Sequence, residues 1–198
     1  YIDTEFQAGK KGLKYADENN IPVVVMEPLR GGSLAGDMPE EIEEIFAQSK
    51  TERSSADWAL QWLWNQPEVA VVLSGMSTLE QVKENVESAD NSGVGILSDQ
   101  EEEIVAEVAN KYEELVPVNC TGCGYCVPCP TGVRIPKTFA VYNESKIFNS
   151  QEAEEEYENL AEGQQASACV ECGQCEEICP QNIEIIEKLT EAHEYLTA

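Results

Sequence analysis

The eight cysteines of this 198-residue chain fall into two short runs, and none lies outside them. Cys120, Cys123, Cys126 and Cys129 follow one another at two-residue gaps. Cys169, Cys172, Cys175 and Cys179 repeat the pattern, with a three-residue gap before the last. Each run ends in Cys-Pro, at Pro130 and Pro180. No other feature limits the fold so strongly. This closure gives every thiol of the chain one shared job.

The second run, C-x₂-C-x₂-C-x₃-C-P, has the spacing that holds a cubane iron–sulfur cluster. Three cysteines at two-residue gaps wrap one side of a compact inorganic core. Gly122, Gly124 and Gly173 let the backbone bend tightly and turn N–H groups toward sulfur. The fourth ligand must come from elsewhere. In two-cluster ferredoxins each Cys-Pro cysteine serves the other cluster. Mapped onto this chain, one 4Fe–4S cluster takes Cys120, Cys123, Cys126 and Cys179, and the other takes Cys169, Cys172, Cys175 and Cys129. The first run departs from the pattern by its shorter last gap, which bears on the swing of Cys129. Structural zinc also uses C-x₂-C knuckles, but without a third cysteine at the same pitch followed by Cys-Pro. A disulfide framework would be denser in cysteine, and a redox dithiol would not need eight.

Hydrophobic residues make up 42% of the chain, enough for real cores. No apolar run approaches the roughly 20 residues a membrane helix needs. Lys and Arg number 12 against 38 Asp and Glu, a net charge of −26. That charge argues against nucleic acid and anionic membranes as partners. It suits docking to a basic redox partner protein, with solubility or adaptation to high salt as the competing reading. Thiolate-held clusters imply a reducing, cytoplasmic setting. The opening Tyr-Ile-Asp-Thr-Glu-Phe-Gln reads as the interior of a longer chain.

Helix and strand alternate over residues 1–115. Helices are expected at Ala8–Asn19, with Leu13 and Ala16 inward, at Pro39–Gln48, at Ser54–Asn65, from a Ser77 or Thr78 cap to about Ser88, and at Asp99–Leu115. The last should face Ile104, Val105, Val108 and Tyr112 inward. Ile21–Met26 and Val69–Leu73 read as strands buried on both faces, hence as neighbours in a parallel sheet under helices. Trp58, Trp62 and Trp64 read as core. Lys10, Lys11 and Lys14 read as a solvated face. After a boundary near Val116–Asn119, residues 116–198 form a cysteine module whose insert, Pro136–Leu160, should fold as one or two helices. His193 reads as a solvated helix residue.

The segments Met26-Glu-Pro-Leu-Arg-Gly-Gly-Ser-Leu34, Ser55-Ala-Asp-Trp-Ala-Leu-Gln-Trp-Leu-Trp-Asn65 and Val71-Val-Leu-Ser-Gly-Met-Ser-Thr-Leu-Glu-Gln-Val-Lys-Glu-Asn85 are similar to the last third of the aldo-keto reductases. The cysteine module resembles the ferredoxin-like extension of that family's iron–sulfur branch. The resemblance implies an α/β chain: the C-terminal portion of a (β/α)8 TIM-type barrel over residues 1–115, then a mostly α-helical ferredoxin-like domain over 116–198 with two 4Fe–4S clusters. It implies that the family's catalytic Asp, Tyr, Lys and His belong to strands preceding Tyr1, and that His193 is not the catalytic histidine. It also implies a nicotinamide dinucleotide site. Pro28, Leu29, Gly31 and Gly32 match the loop over the pyrophosphate, and Ser77, Gln81, Glu84 and Asn85 match the positions around the adenosine end. Gly75 and Gln81 stand where NADPH-preferring members carry basic residues. Met26 stands where an aromatic often stacks on the nicotinamide. Read without the family, Pro28–Gly32 is a turn and Ser77 an N-cap.

Two functions follow. One is an iron–sulfur oxidoreductase that passes electrons through two 4Fe–4S clusters, with NAD(P)-linked carbonyl or alcohol chemistry in the full-length parent. The other is a non-catalytic electron-transfer or docking module for which the barrel segment is a scaffold. The sequence leaves the substrate, the electron partner and the choice of NAD, NADP or neither open.

Overall fold

The computed structural model describes residues 1–5, 8–148, 150–161 and 163–198. They form two compact units, Tyr1–Glu113 and Glu114–Ala198.

In the first unit, α1 (Gly9–Glu18) leads to a short strand, β1 (Val23–Val25). A 3-10 turn at Arg30–Gly32 follows, then α2 (Glu40–Phe46), α3 (Ser55–Trp64), β2 (Val69–Val72), α4 (Leu79–Asp90) and α5 (Asp99–Leu115). The helix starts are encoded locally. Ser54 accepts the Asp57 N–H at the head of α3. Thr78, not Ser77, caps α4, in a reciprocal pair with Gln81. Ser98 and Glu101 make the same exchange at α5. Between them these side chains satisfy backbone donors that a helix start leaves unpaired.

The core of this unit lies along α2, α3 and α5. Ile42, Trp58, Leu60, Val105 and Val108 are buried, together with Ile104 and Tyr112. Phe46 stacks on Trp58 at 5.2 Å, and the Arg53 guanidinium lies 4.6 Å from the same ring. Two buried amides join the helices. Gln61 Nε2 donates to the Ser88 carbonyl of α4 at 2.8 Å, and Asn65 donates to Glu102 of α5 at 2.7 Å. Trp62 and Trp64 are only half-buried. The expectation of a three-tryptophan core holds for Trp58 alone, and the Trp62 ring instead takes the Lys10 ammonium 5.3 Å from its centre.

The two strands pair in parallel, with Val23, Val24 and Val25 opposite Val69, Val71 and Val72. Among the described residues the sheet has no third strand. The expectation that both strands are buried on both faces is overturned. Val24 is 52% exposed, Met26 74%, Val71 44% and Leu73 49%. An apolar strand is buried only where layers cover it. Here α3 packs against β2, while Val24 and Val71 face water.

In the second unit, α6 (Ile135–Phe148) packs against α7 (Gln151–Glu158) and α9 (Ile185–Leu196). A single four-residue helix, α8 (Gln174–Glu177), sits inside the second cysteine run. The core holds Val133, Ile135, Phe139, Tyr157, Ile185 and Leu189, and cysteines of both runs pack against it. The insert thus forms two helices, as expected from its composition. His193 is half-buried, with Nδ1 2.8 Å from the Tyr157 hydroxyl, so the solvated-helix reading is corrected. A lone histidine gives no hint in sequence of a tyrosine 36 residues away. No helix among the described residues is long and apolar enough to cross a membrane.

Candidate functional site

The two cysteine runs fold as an internal repeat. At the second residue after the first cysteine of each run, a left-handed backbone turns an N–H onto that cysteine's sulfur. Gly122 N donates to Cys120 Sγ and Glu171 N to Cys169 Sγ, each at 3.4 Å. Gly122 has φ of 69° and Glu171 54°, the region that glycine tolerates and other residues adopt at a cost. Three residues beyond each closing cysteine the chain turns again. Gly132 N donates to the Cys129 carbonyl at 3.0 Å, and Asn182 N to the Cys179 carbonyl at 3.1 Å. Val133 and Ile183 follow these turns, and α6 and α9 begin two residues later. Each run therefore ends by feeding a helix that packs in the shared core.

This arrangement makes two cysteine-lined cavities. Cys120, Cys123, Cys126 and Cys179 line the first, with Phe139 and Ile185 behind them. Cys169, Cys172, Cys175 and Cys129 line the second, again with Cys126. Three thiols of each run thus share a cavity with the Cys-Pro thiol of the other run. Cys126 and Ile135 border both cavities. The first is narrow, 20 Å³, and the second roomier, 170 Å³.

The thiols differ electrostatically. Burial pushes Cys126 up to about 11, with Cys120, Cys123 and Cys175 nearby adding repulsion. Burial also raises Cys175. Burial would raise Cys129 too, but the Thr131 hydroxyl and the N–H groups of Thr131, Val133 and Gly132 outweigh it and hold the thiol below its ordinary value. Such donors stabilise sulfur that carries negative charge. Among the described residues, no three His, Cys, Asp or Glu side chains lie close enough to share one metal ion. Thiolates bound to the separate corners of a cubane stand farther apart than ligands of a single ion. The donor set, the exchange of cysteines and the N–H···S contacts fit iron–sulfur clusters.

The first unit carries a separate cavity of 1090 Å³. Pro28, Leu29, Gly31, Gly32, Ser77, Gln81, Glu84 and Asn85, the eight positions expected at a nucleotide, all line this one space. A Cβ at Gly32 or at Gly75 would meet nothing within 4 Å, so the backbone is open to close approach there. In size and backbone access the cavity fits a dinucleotide. The side chains are partly engaged among themselves. Gln81 Oε1 accepts the N–H groups of Ser77 and Thr78 at 2.8 and 3.2 Å. Asn85 Nδ2 donates to Ser74 Oγ at 3.2 Å, and Ser54 donates to Glu84. Arg53 is the one cation bordering the cavity among the described residues, and it pairs with Asp57 and Glu101. The sequence had given no sign that Glu84 meets Ser54 or that Arg53 is held by Glu101, since both partners lie far along the chain.

Residues 119–184 match the 4Fe-4S dicluster domain, and residues 7–109, just over half the chain, match the aldo/keto reductase family. No curated protein and no solved structure matches the chain. The family match implies a TIM-barrel class for the first unit, of which the described residues show two parallel strands and their helices. The chain belongs to the aldo/keto reductase family and joins to it a dicluster iron–sulfur domain, the parts of an iron–sulfur oxidoreductase.

Proposed function

We propose that this chain is an electron-transferring oxidoreductase in which two 4Fe–4S clusters sit in the two cysteine cavities and electrons pass between them. The observation that carries this is the lining of those cavities, with three thiols from one run and the Cys-Pro thiol of the other in each. Clusters bound there supply one-electron storage at low potential. The chain's own residues do the rest. Gly122 and Glu171 direct N–H groups at ligand sulfur, and Thr131 does so with its hydroxyl. Such bonds favour the more negative, reduced state. The common border at Cys126 and Ile135 sets the two sites side by side, the condition for transfer between them.

The 1090 Å³ cavity of the first unit is the proposed seat of a nicotinamide dinucleotide, in line with the family. Gly31 and Gly32 would admit its pyrophosphate, and Glu84 and Asn85 would face its adenosine end. Anaerobic reconstitution, followed by iron and acid-labile sulfide analysis, tests the core of the proposal. About eight of each per chain are expected. Zinc in their place, with no sulfide, defeats it.

A further inference from the structure

The mouths of the two cysteine cavities are unlike. The first is walled by Phe139 and Ile185, each no more than 2% exposed, and shares the buried Ile135 with the second. The second is rimmed by apolar side chains that face water. Val170 is 64% exposed, Ile178 51% and Val127 43%, and these three line the second cavity only, whereas Tyr125, 65% exposed, lines both. Cys172, the one exposed cysteine among the described residues, stands within this rim. Glu171 precedes Cys172 and Glu177 precedes the rim residue Ile178 in the chain, and both are exposed. No Lys or Arg lines the second cavity.

We propose that this rim is the docking surface for a cationic electron-transfer protein, one with an apolar contact around its own redox centre and Lys or Arg about it. The inference rests on the reading of the cysteines as cluster ligands, and it adds which cluster meets the partner. Apolar side chains encircling a redox centre exclude water on contact, and acidic side chains outside them select a basic partner and speed its arrival. The exposed Cys172 sulfur gives an electron the shortest covalent path from the surface to whatever those cysteines hold. A second copy of this chain is the wrong occupant. At a net charge of −26, two such rims repel. The first site, enclosed by core side chains, would exchange electrons through the second.

Ferricytochrome c, a basic protein with an exposed haem edge, is the probe. The anaerobic, reconstituted full chain is reduced and mixed with it in stopped flow. One electron leaves a reduced cluster and converts one ferric haem to ferrous. The rate should fall about tenfold or more between low and high salt. The double variant Glu171→Lys/Glu177→Lys should slow transfer at low salt about tenfold. The charge-matched double variant Glu155→Lys/Glu158→Lys, on the exposed face of α7, should stay within about twofold. Val170→Thr, which keeps the shape but adds a hydroxyl, should slow transfer without changing its salt dependence. Equal slowing by both double variants would reduce the effect to net charge and overturn the docking surface. So would rates unaffected by the rim variants at full iron and sulfide loading. A wild-type chain that binds no acid-labile sulfide would instead remove the cluster reading beneath it.

Discussion

The hydroxyl of Tyr157 on α7 lies 2.8 Å from Nδ1 of His193 on α9 and accepts the Ala166 N–H at 3.0 Å. With its oxygen accepting from Ala166, the hydroxyl has its hydrogen free for the histidine. Ala166 stands three residues before Cys169, in a 3-10 turn that delivers the second cysteine run. One buried side chain thus ties two helices of the core to the approach of a ligand loop. Tyr157→Phe leaves the ring in place and removes both bonds, stranding a buried N–H. The expected loss is about 1–3 kcal/mol of unfolding free energy, read from denaturant unfolding of the anaerobic holo-protein. An unchanged midpoint would show that water replaces the hydroxyl at no cost.

Exchange of the Cys-Pro cysteines makes a crossed prediction. Cys179→Ala should damage the cluster held by Cys120, Cys123 and Cys126, whereas Cys129→Ala should damage the one held by Cys169, Cys172 and Cys175. Each variant should lose up to about four iron atoms. Electron paramagnetic resonance of the reduced proteins identifies which signal is lost. The same signal lost in both variants, or losses in the opposite order, would show that the cysteines are not exchanged.

Glu101 and Arg53 give the first unit an acid limit. Burial would raise the Glu101 carboxyl, but the Arg53 guanidinium and the Ser98 hydroxyl and N–H outweigh it, bringing the group from 4.5 to about 2. A carboxyl depressed by folding stabilises above its unfolded value, and that stability drains away as pH falls from 4.5 toward 2. Glu101→Gln should therefore cost on the order of 3 kcal/mol at neutral pH. The gap from wild type should shrink below pH 4.5. All three tryptophans lie in this unit, on α3. Their fluorescence during urea unfolding thus follows it even where acid strips sulfide from the cysteines. A variant as stable as wild type at pH 7 would refute the account.

The cavity proposed for a dinucleotide can be filled without straining the fold. A Cβ at Gly75 meets nothing within 4 Å. Gly75→Phe should leave the unfolding midpoint nearly unchanged and weaken NADH binding at least about tenfold, as measured by calorimetric titration of the full chain. Undiminished binding would place the nucleotide elsewhere.

Much of this molecule was legible in local sequence. The Ser-x-x-Asp, Thr-x-x-Gln and Ser-x-x-Glu starts of α3, α4 and α5 are satisfied within four residues of chain. The stripe of Ile104, Val105, Val108 and Tyr112 follows from helical period alone. The cysteine spacing with its glycines and prolines prescribes two loops, because three thiols at that pitch leave the backbone few other courses. Tertiary structure decided what depends on neighbours distant in sequence. Apolarity made Ile21–Met26 and Val69–Leu73 strands, but burial belongs to whatever layers lie over a strand, and Val24 and Val71 face water. Ser77 read either as an adenosine contact or as an N-cap, and in the structure the cap of α4 is Thr78, with Gln81 closing the pair. The partner of His193 and the apolar rim around Cys172 arise where segments tens of residues apart are brought together by one core. No periodicity within a single segment encodes those meetings, because their free energy comes from burying surfaces that meet only after the chain has folded.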